Sequence, residues 1–287
     1  MKQRALNLLY LAPLLLVFIL LIAYPFLQTA IFSFYEEALD GSTKYVGFSN
    51  YLRVFKSTQF KQVFHNTWKW TFGATLLKVG SGLLVGLLLY QDFKLKPLVM
   101  LIVLLPWAIP YSVSHIIWKW AFDSMFGHLN SMFLRIGLIQ APLEWLANPN
   151  FSIWGIVIAN SWTGMPFCAF SILSGLYSIP TELYEACAVD GASPIKVFRY
   201  ITLPLLRPVL TLVTALAGIW TFTNFGAIWL MTKGGPLNSS TVLIVDIYRN
   251  AFEFQRPGYA SALSVLSALF LGLLSIFYVH SQRDNLD

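Results

Sequence analysis

The chain has 287 residues, 57% of them hydrophobic and 11% charged, with a mean hydropathy of +0.65. A soluble domain carries about 25% charged residues, so this composition excludes an ordinary soluble globule and points to a polytopic membrane protein. The net charge of +6 is scattered through the segments between apolar runs, which reads as membrane topology and not as a nucleic-acid-binding face.

The N-terminus, Met1-Lys-Gln-Arg, opens like the basic region of a signal peptide. The apolar run behind it is too long and lacks a small-residue cleavage site, so it is an uncleaved first span. A span needs about 20 mainly apolar residues, and six stretches qualify: 8–32, 66–90, 97–121, 152–176, 207–231 and 259–281. Backbone groups in lipid must bond internally, so these are helices. The expected fold is an all-α integral membrane protein with six transmembrane helices. Pro13, Pro25, Pro106, Pro110 and Pro166 fall within or near the spans, either as kinks beside a pathway or as the prolines common in membrane helices.

Inner and outer segments hold similar numbers of Lys and Arg, but the outer ones are longer. Charge density therefore favours an N-terminus inside the cell, with Lys2, Arg4, Lys94 and Lys96 cytoplasmic. The outer segments, 33–65, 122–151 and 232–258, are punctuated by Asp40-Gly41, Asn148-Pro149-Asn150 and Gly234-Gly235-Pro236. Loops of this length carry function or short helices. The two cysteines, Cys168 and Cys187, make no disulfide framework.

A polar island separates the fourth and fifth spans. Thr181 is placed to cap a helix starting at Glu182, and Glu182 and Glu185 share one face of it. Gly191 permits a sharp bend, and Ser193 is placed to cap a second short helix with Pro194 at its first position. Glu185-Ala186-Cys187, three residues, Gly191, nine residues and Ile201-Thr202-Leu203-Pro204 together resemble the EAA motif of ABC importer permeases. Cys187 stands in place of the motif's second alanine. Gly47-Phe48-Ser49-Asn50-Tyr51 and Gly234-Gly235-Pro236, the latter followed by Thr241 and Tyr248, are similar to segments of the maltose-type first permease of sugar importers.

The resemblance implies a single transmembrane domain over 1–287, with a core of about 66–281 preceded by the first span 8–32 and an outer loop 33–65. It further implies a cytoplasmic coupling helix between the fourth and fifth spans, bearing Glu182, Glu185, Ala186, Asp190 and Gly191, with Leu203 and Pro204 closing the motif. The partners would be an ATPase dimer, a second homologous permease, an extracytoplasmic solute-binding protein and the lipid bilayer of the cell membrane. No Walker A sequence occurs in the chain. The chain is expected to bind no cofactor, with ATP and Mg2+ held by the ATPase.

Transporter sites lie near the bilayer midplane. There the fourth span offers Asn160, Trp162 and Thr163, and the fifth offers Trp220, Thr223, Asn224 and Phe225. Amides and hydroxyls bond a neutral polyhydroxy solute and aromatic faces cover sugar rings. The competing reading makes the same residues glue between helices. Lys78, in the middle of the second span, either meets an anionic ligand such as a glycerol phosphoester or serves a neighbouring helix. The structural role is the preferred one. Gly82 and Gly86 form a Gly-x-x-x-Gly pair suited to close helix packing. His65, His115, His128 and His280 form no catalytic or metal pattern, which argues against a membrane enzyme. The scarcity of ionisable groups in the spans argues against an ion-coupled transporter.

Overall fold

The computed structural model describes residues 2–37 and 42–283, so the Asp40-Gly41 turn lies outside the described residues. Within them every regular element is a helix apart from one short hairpin. Four helices are long and apolar enough to cross a membrane: α1 (Tyr10–Phe32), α3 (Thr58–Tyr90), α7 (Ser152–Tyr177) and α9 (Pro194–Phe222). A fifth crossing is counted if α4 (Lys96–Ala108) and α5 (Tyr111–Ala121) are taken as one. Short elements connect them: β1 (Tyr35–Glu37), β2 (Thr43–Tyr45), α2 (Ser49–Lys56), α6 (His128–Arg135), α8 (Thr181–Val189), α10 (Gly226–Met231) and α11 (Leu243–Tyr248). The last helix, α12 (Pro257–Arg283), covers the stretch 259–281 expected as the sixth span.

Two expectations are corrected. The stretch 97–121 is not one straight helix, because α4 and α5 meet at 98°. Pro110 has no N–H to continue the helix, and the residue before a proline is driven out of the helical region; Ile109 is accordingly extended (φ −96°, ψ 128°). The fifth span does not run 207–231. It begins at Pro194 and ends at Phe222, and a non-helical break at 223–225 separates it from α10. Proline also explains two wide π-helical turns, Ile19–Ala23 before Pro25 and Phe198–Thr202 before Pro204. Each turn contains the carbonyl that the ring four residues later would otherwise strike.

Cα proximity divides the chain into two units, one built from the residues up to Lys61 with Asp246–Leu271, the other from Gln62–Val245 with the residues from Gly272 on. In the first unit, β1 and β2 pair antiparallel with Tyr35 opposite Tyr45. The Gly47–Tyr51 segment has a physical explanation there. Gly47 adopts φ +56°, which L side chains rarely do. Asn50 donates from Nδ2 to the carbonyls of Ser33 (3.0 Å) and Tyr35 (2.9 Å), and Tyr51 shares a hydrogen bond with Ser33 (2.7 Å). Arg53 pairs with Glu36, and its hydrogen bond holds that carboxyl below the usual range. A Cβ on Gly258 would lie 1.9 Å from the Tyr35 carbonyl oxygen, so this close approach requires glycine.

In the second unit the core gathers Trp70, Ala74, Ile153, Ile156, Ala227 and Ile228. The Gly82/Gly86 face of α3 lies directly on α7: a Cβ on Gly82 would sit 2.4 Å from Cys168 Cβ, and one on Gly86 3.1 Å from the Ala169 carbonyl oxygen. Gly234 takes φ +90° beneath Thr241, whose hydroxyl donates to the Gly234 carbonyl at 2.9 Å.

Candidate functional site

The polar island folds as the spacing predicts, except that neither Thr181 nor Ser193 caps its helix. Thr181 is the first residue of α8 and makes no capping bond, because Pro180 occupies the cap position in extended conformation. Asp190 ends the helix, and Gly191 makes the bend at φ +65°. Pro194 opens the next helix behind an extended Ser193, whose side chain does not cap it. Glu182, Glu185, Ala186, Asp190, Gly191, Leu203 and Pro204 are all exposed. The inner side of the island is anchored. Tyr184 shares a hydrogen bond with Thr202 at 3.2 Å and packs on a buried cluster of Ile172, Leu176, Ile179 and Leu206. Its ring also lies 6.3 Å from that of Tyr90 at the end of α3. Two short helices with exposed motif residues thus pack against the ends of α3, α7 and α9.

The midplane residues are brought together only in part. Asn224, in the break after α9, accepts from the Tyr111 hydroxyl (2.7 Å) and the Ala227 amide (3.1 Å) and donates to Asn160 Oδ1 (3.3 Å). The Asn160 Nδ2 is buried without a partner. Thr163 bonds the Ala159 carbonyl and lies 3.3 Å from the Ser114 hydroxyl. Trp162 meets the Trp118 ring edge-on at 5.9 Å and lines, with Ser114 and Trp118, a cavity of about 300 Å3. Phe225 is stacked on Trp229 and is half-buried. Trp220 and Thr223 stand apart: Trp220 is 52% exposed and touches Phe167, while the exposed Thr223 returns its hydroxyl to the Ile219 carbonyl.

The sequence pattern does not single out Tyr111, Ser114, His115 and Trp118, yet α5 supplies them all. The available signal was the pair Pro106 and Pro110, which turns a continuous apolar run into a half-helix with a polar face. His115 Nδ1 lies 2.8 Å from the Tyr111 carbonyl. A carbonyl only accepts, so that nitrogen carries the proton and the buried, unpartnered Nε2 is an acceptor in the neutral ring.

Lys78 does serve a neighbouring helix, but through a side chain and not through backbone carbonyls. It is buried and donates to the Thr221 hydroxyl at 2.9 Å, which in turn bonds the Ala217 carbonyl. The Thr221 carbonyl accepts from Trp70 Nε1 at 2.8 Å. The stem of Lys78 runs over Gly164, where a Cβ would come within 2.6 Å of it. A charge at mid-membrane costs about 2.5–3.5 kcal/mol on insertion scales; here it is shielded by protein on every side the structure describes.

Residues 78–285 match the family described as binding-protein-dependent transport system inner membrane component. The chain is similar to a sulfoquinovosyl glycerol transport system permease protein of Agrobacterium fabrum, at 35% identity over 270 residues, 92% of this chain and 86% of that one. It is similar at 32% identity over 283 residues to a trehalose/maltose transport system permease protein of Thermococcus litoralis, covering 98% of this chain and 95% of that one. Among solved structures, a bacterial ABC transporter involved in import of the acidic polysaccharide alginate has the same fold. Its TM-score is 0.84 at 23% identity, and the match covers 99% of this chain and 96% of that one.

Proposed function

This chain belongs to the family of inner-membrane components of binding-protein-dependent transport systems, and from that premise we propose that it is one of two homologous permeases in an ATP-driven importer of a neutral sugar or oligosaccharide. In this reading α4 with α5 is one crossing and α12 the sixth, both termini are cytoplasmic, and α8 is the coupling helix. An ATPase dimer binds ATP and Mg2+ and docks on Glu182, Glu185 and Asp190. A solute-binding protein delivers the ligand to the outer segments. ATPase closure pushes on α8, and the anchor through Tyr184 passes that displacement to α3, α7 and α9.

One observation carries the neutral-solute reading. The groups meeting around the break at 223–225 are amides and hydroxyls, from Tyr111, Ser114, Asn160, Thr163 and Asn224, while the nearby cation Lys78 is engaged by Thr221. Asn160 Nδ2 and His115 Nε2, a donor and an acceptor without partners, suit the hydroxyls of a sugar, each of which can both give and take a hydrogen bond. Relatives named for trehalose/maltose and for sulfoquinovosyl glycerol support the sugar class.

The test is uptake by the complex reconstituted in vesicles with its ATPase and binding protein. Uptake of a neutral di- or oligosaccharide should require both ATP and the binding protein. Uptake of a glycerol phosphoester in preference to the sugar would transfer the site to the anionic alternative and give Lys78 a ligand. Uptake driven by an ion gradient without ATP would replace the importer by a secondary transporter.

A further inference from the structure

Within the first unit, α2 leaves an apolar face exposed. Phe48 at its cap position, Leu52 and Phe55 follow one another at i, i+4 and i+7, which is one side of a helix. They are 68%, 58% and 58% exposed. The opposite side is buried through Asn50 and Val54. So short a helix is marginal by itself, and this one is held by its neighbours. Asn50 donates to the carbonyls of Ser33 and Tyr35, and Tyr51 shares a hydrogen bond with Ser33. The Phe34 ring meets that of Phe48 edge-on at 5.3 Å and that of Tyr51 at 5.7 Å.

These anchors fix the height at which the face stands. Ser33 directly follows α1, whose apolar stretch Tyr10–Phe32 has 23 residues. At about 1.5 Å per residue that stretch is about 35 Å long, close to the hydrocarbon thickness of about 30 Å. None of residues 10–32 is buried within the chain. A helix of that length crossing the bilayer delivers Ser33 to the boundary between acyl chains and headgroups, and α2 is hydrogen-bonded to that residue. The side chains around it suit the boundary. Tyr35 and Tyr45 pack edge-on at 5.5 Å beside Phe48 and Tyr51, and tyrosines of this kind gather where membrane meets water. Lys56 and Lys61 follow the apolar face and are exposed, placing cations where lipid phosphates lie.

We propose that α2 is an interfacial helix, lying along the bilayer surface at the end of α1 with Phe48, Leu52 and Phe55 set among the acyl chains just below the headgroups. The proposal needs only that α1 crosses the membrane, so it stands apart from the reading of the solute. Exposed to water, three large apolar side chains on one face would form a patch of the kind that marks a contact surface. The bonds to Ser33 put lipid beside this patch whether or not a protein partner is present.

The test uses the assembled complex in nanodiscs of phosphatidylethanolamine and phosphatidylglycerol. In a Cys187→Ala background, Leu52→Cys and, separately, Phe55→Cys are labelled with an environment-sensitive fluorophore. Quenching is read with lipids carrying a nitroxide near the headgroup or at the chain end, and with aqueous iodide. Both labels should be quenched about threefold more by the shallow nitroxide than by the deep one or by iodide. Adding Phe48→Asp should raise iodide quenching of the Phe55→Cys label about threefold. Two positions on one face keep a local disturbance at either from deciding the result. Iodide quenching as strong as that of the free dye puts the face in water and overturns the proposal. Protection from both lipid and aqueous quenchers also overturns it, whether it appears on adding a solute-binding protein or only in the complex and not in the chain alone, because the covering surface is then protein.

Discussion

The polar island at 181–204 and the polar cluster around 223–225 are both neutral or acidic patches between apolar spans, and they are built in opposite ways. The island leaves its motif residues, Glu185 and Asp190 among them, exposed at the surface of the chain. The cluster turns its amides inward, so Asn224 holds Tyr111, Ala227 and Asn160 together while it is also a candidate for touching solute. Docking and structure are separable in the first region and entangled in the second. Substitutions should therefore separate function from stability in the island and confound them in the cluster.

The largest effect should come from neither region but from the helix pairing that holds both in place. Gly82→Leu would drive a side chain into Cys168 and the Ala169 backbone. It should cost about 3 kcal/mol or more, seen as loss of a monodisperse folded peak in detergent. A normal peak would mean that α3 and α7 tolerate separation. Next, Glu185→Ala should weaken ATPase docking by about 2 kcal/mol or more while leaving thermal stability within about 0.5 kcal/mol. Unimpaired transport by that variant would sink the coupling role.

In the cluster, Asn224→Ala strands the Tyr111 hydroxyl and the Ala227 amide and should lower stability by about 1–3 kcal/mol along with transport. Trp220→Ala, at a half-exposed ring, should lower transport with assembly intact. If Trp220→Ala instead prevents recovery of the complex, that residue is a packing element. The smallest effect concerns Asp246, which lies in the first unit and outside the spans. Burial pushes its carboxyl above the usual range, against hydrogen bonds from Gln59 and Asn250. A raised folded value means that the native chain holds the proton longer than the unfolded one. Stability from this group is then greatest at low pH and declines as pH rises through the folded value. Asp246→Asn should flatten that slope and raise the Tm at pH above the folded value. An unchanged pH profile would show that the carboxylate is better solvated than its burial indicates.

Several features were legible because they are local. Gly191 needed a left-handed bend, Pro194 needed a helix start, and Gly82 with Gly86 needed a close neighbour; each follows from what one or two residues permit. Thr181 misled because its capping chemistry is sound in isolation, whereas Pro180 beside it already fixes the backbone that a cap would have to adopt. Thr223, Asn224 and Phe225 carry hydrogen-bonding and aromatic groups, but in a break of the backbone and not in a helix. Hydropathy runs smoothly across 207–231, and nothing in that average marks where the backbone hydrogen bonds stop.

The sequence by itself determined that this chain lives in a membrane, that its spans are helical, that a bent polar lever interrupts them and which family it resembles. Those conclusions rest on transfer free energies and on the backbone limits of glycine and proline, which act residue by residue. Only the tertiary structure decided that α4 and α5 meet at 98°, that α5 brings Tyr111 to Asn224, that Lys78 is engaged by Thr221, and that the Thr71 and Thr75 hydroxyls are buried without hydrogen-bond partners. Those facts depend on which hydrogen-bonding groups meet across elements far apart in the chain. The pattern along one element shows that a polar group is present, but not what satisfies it.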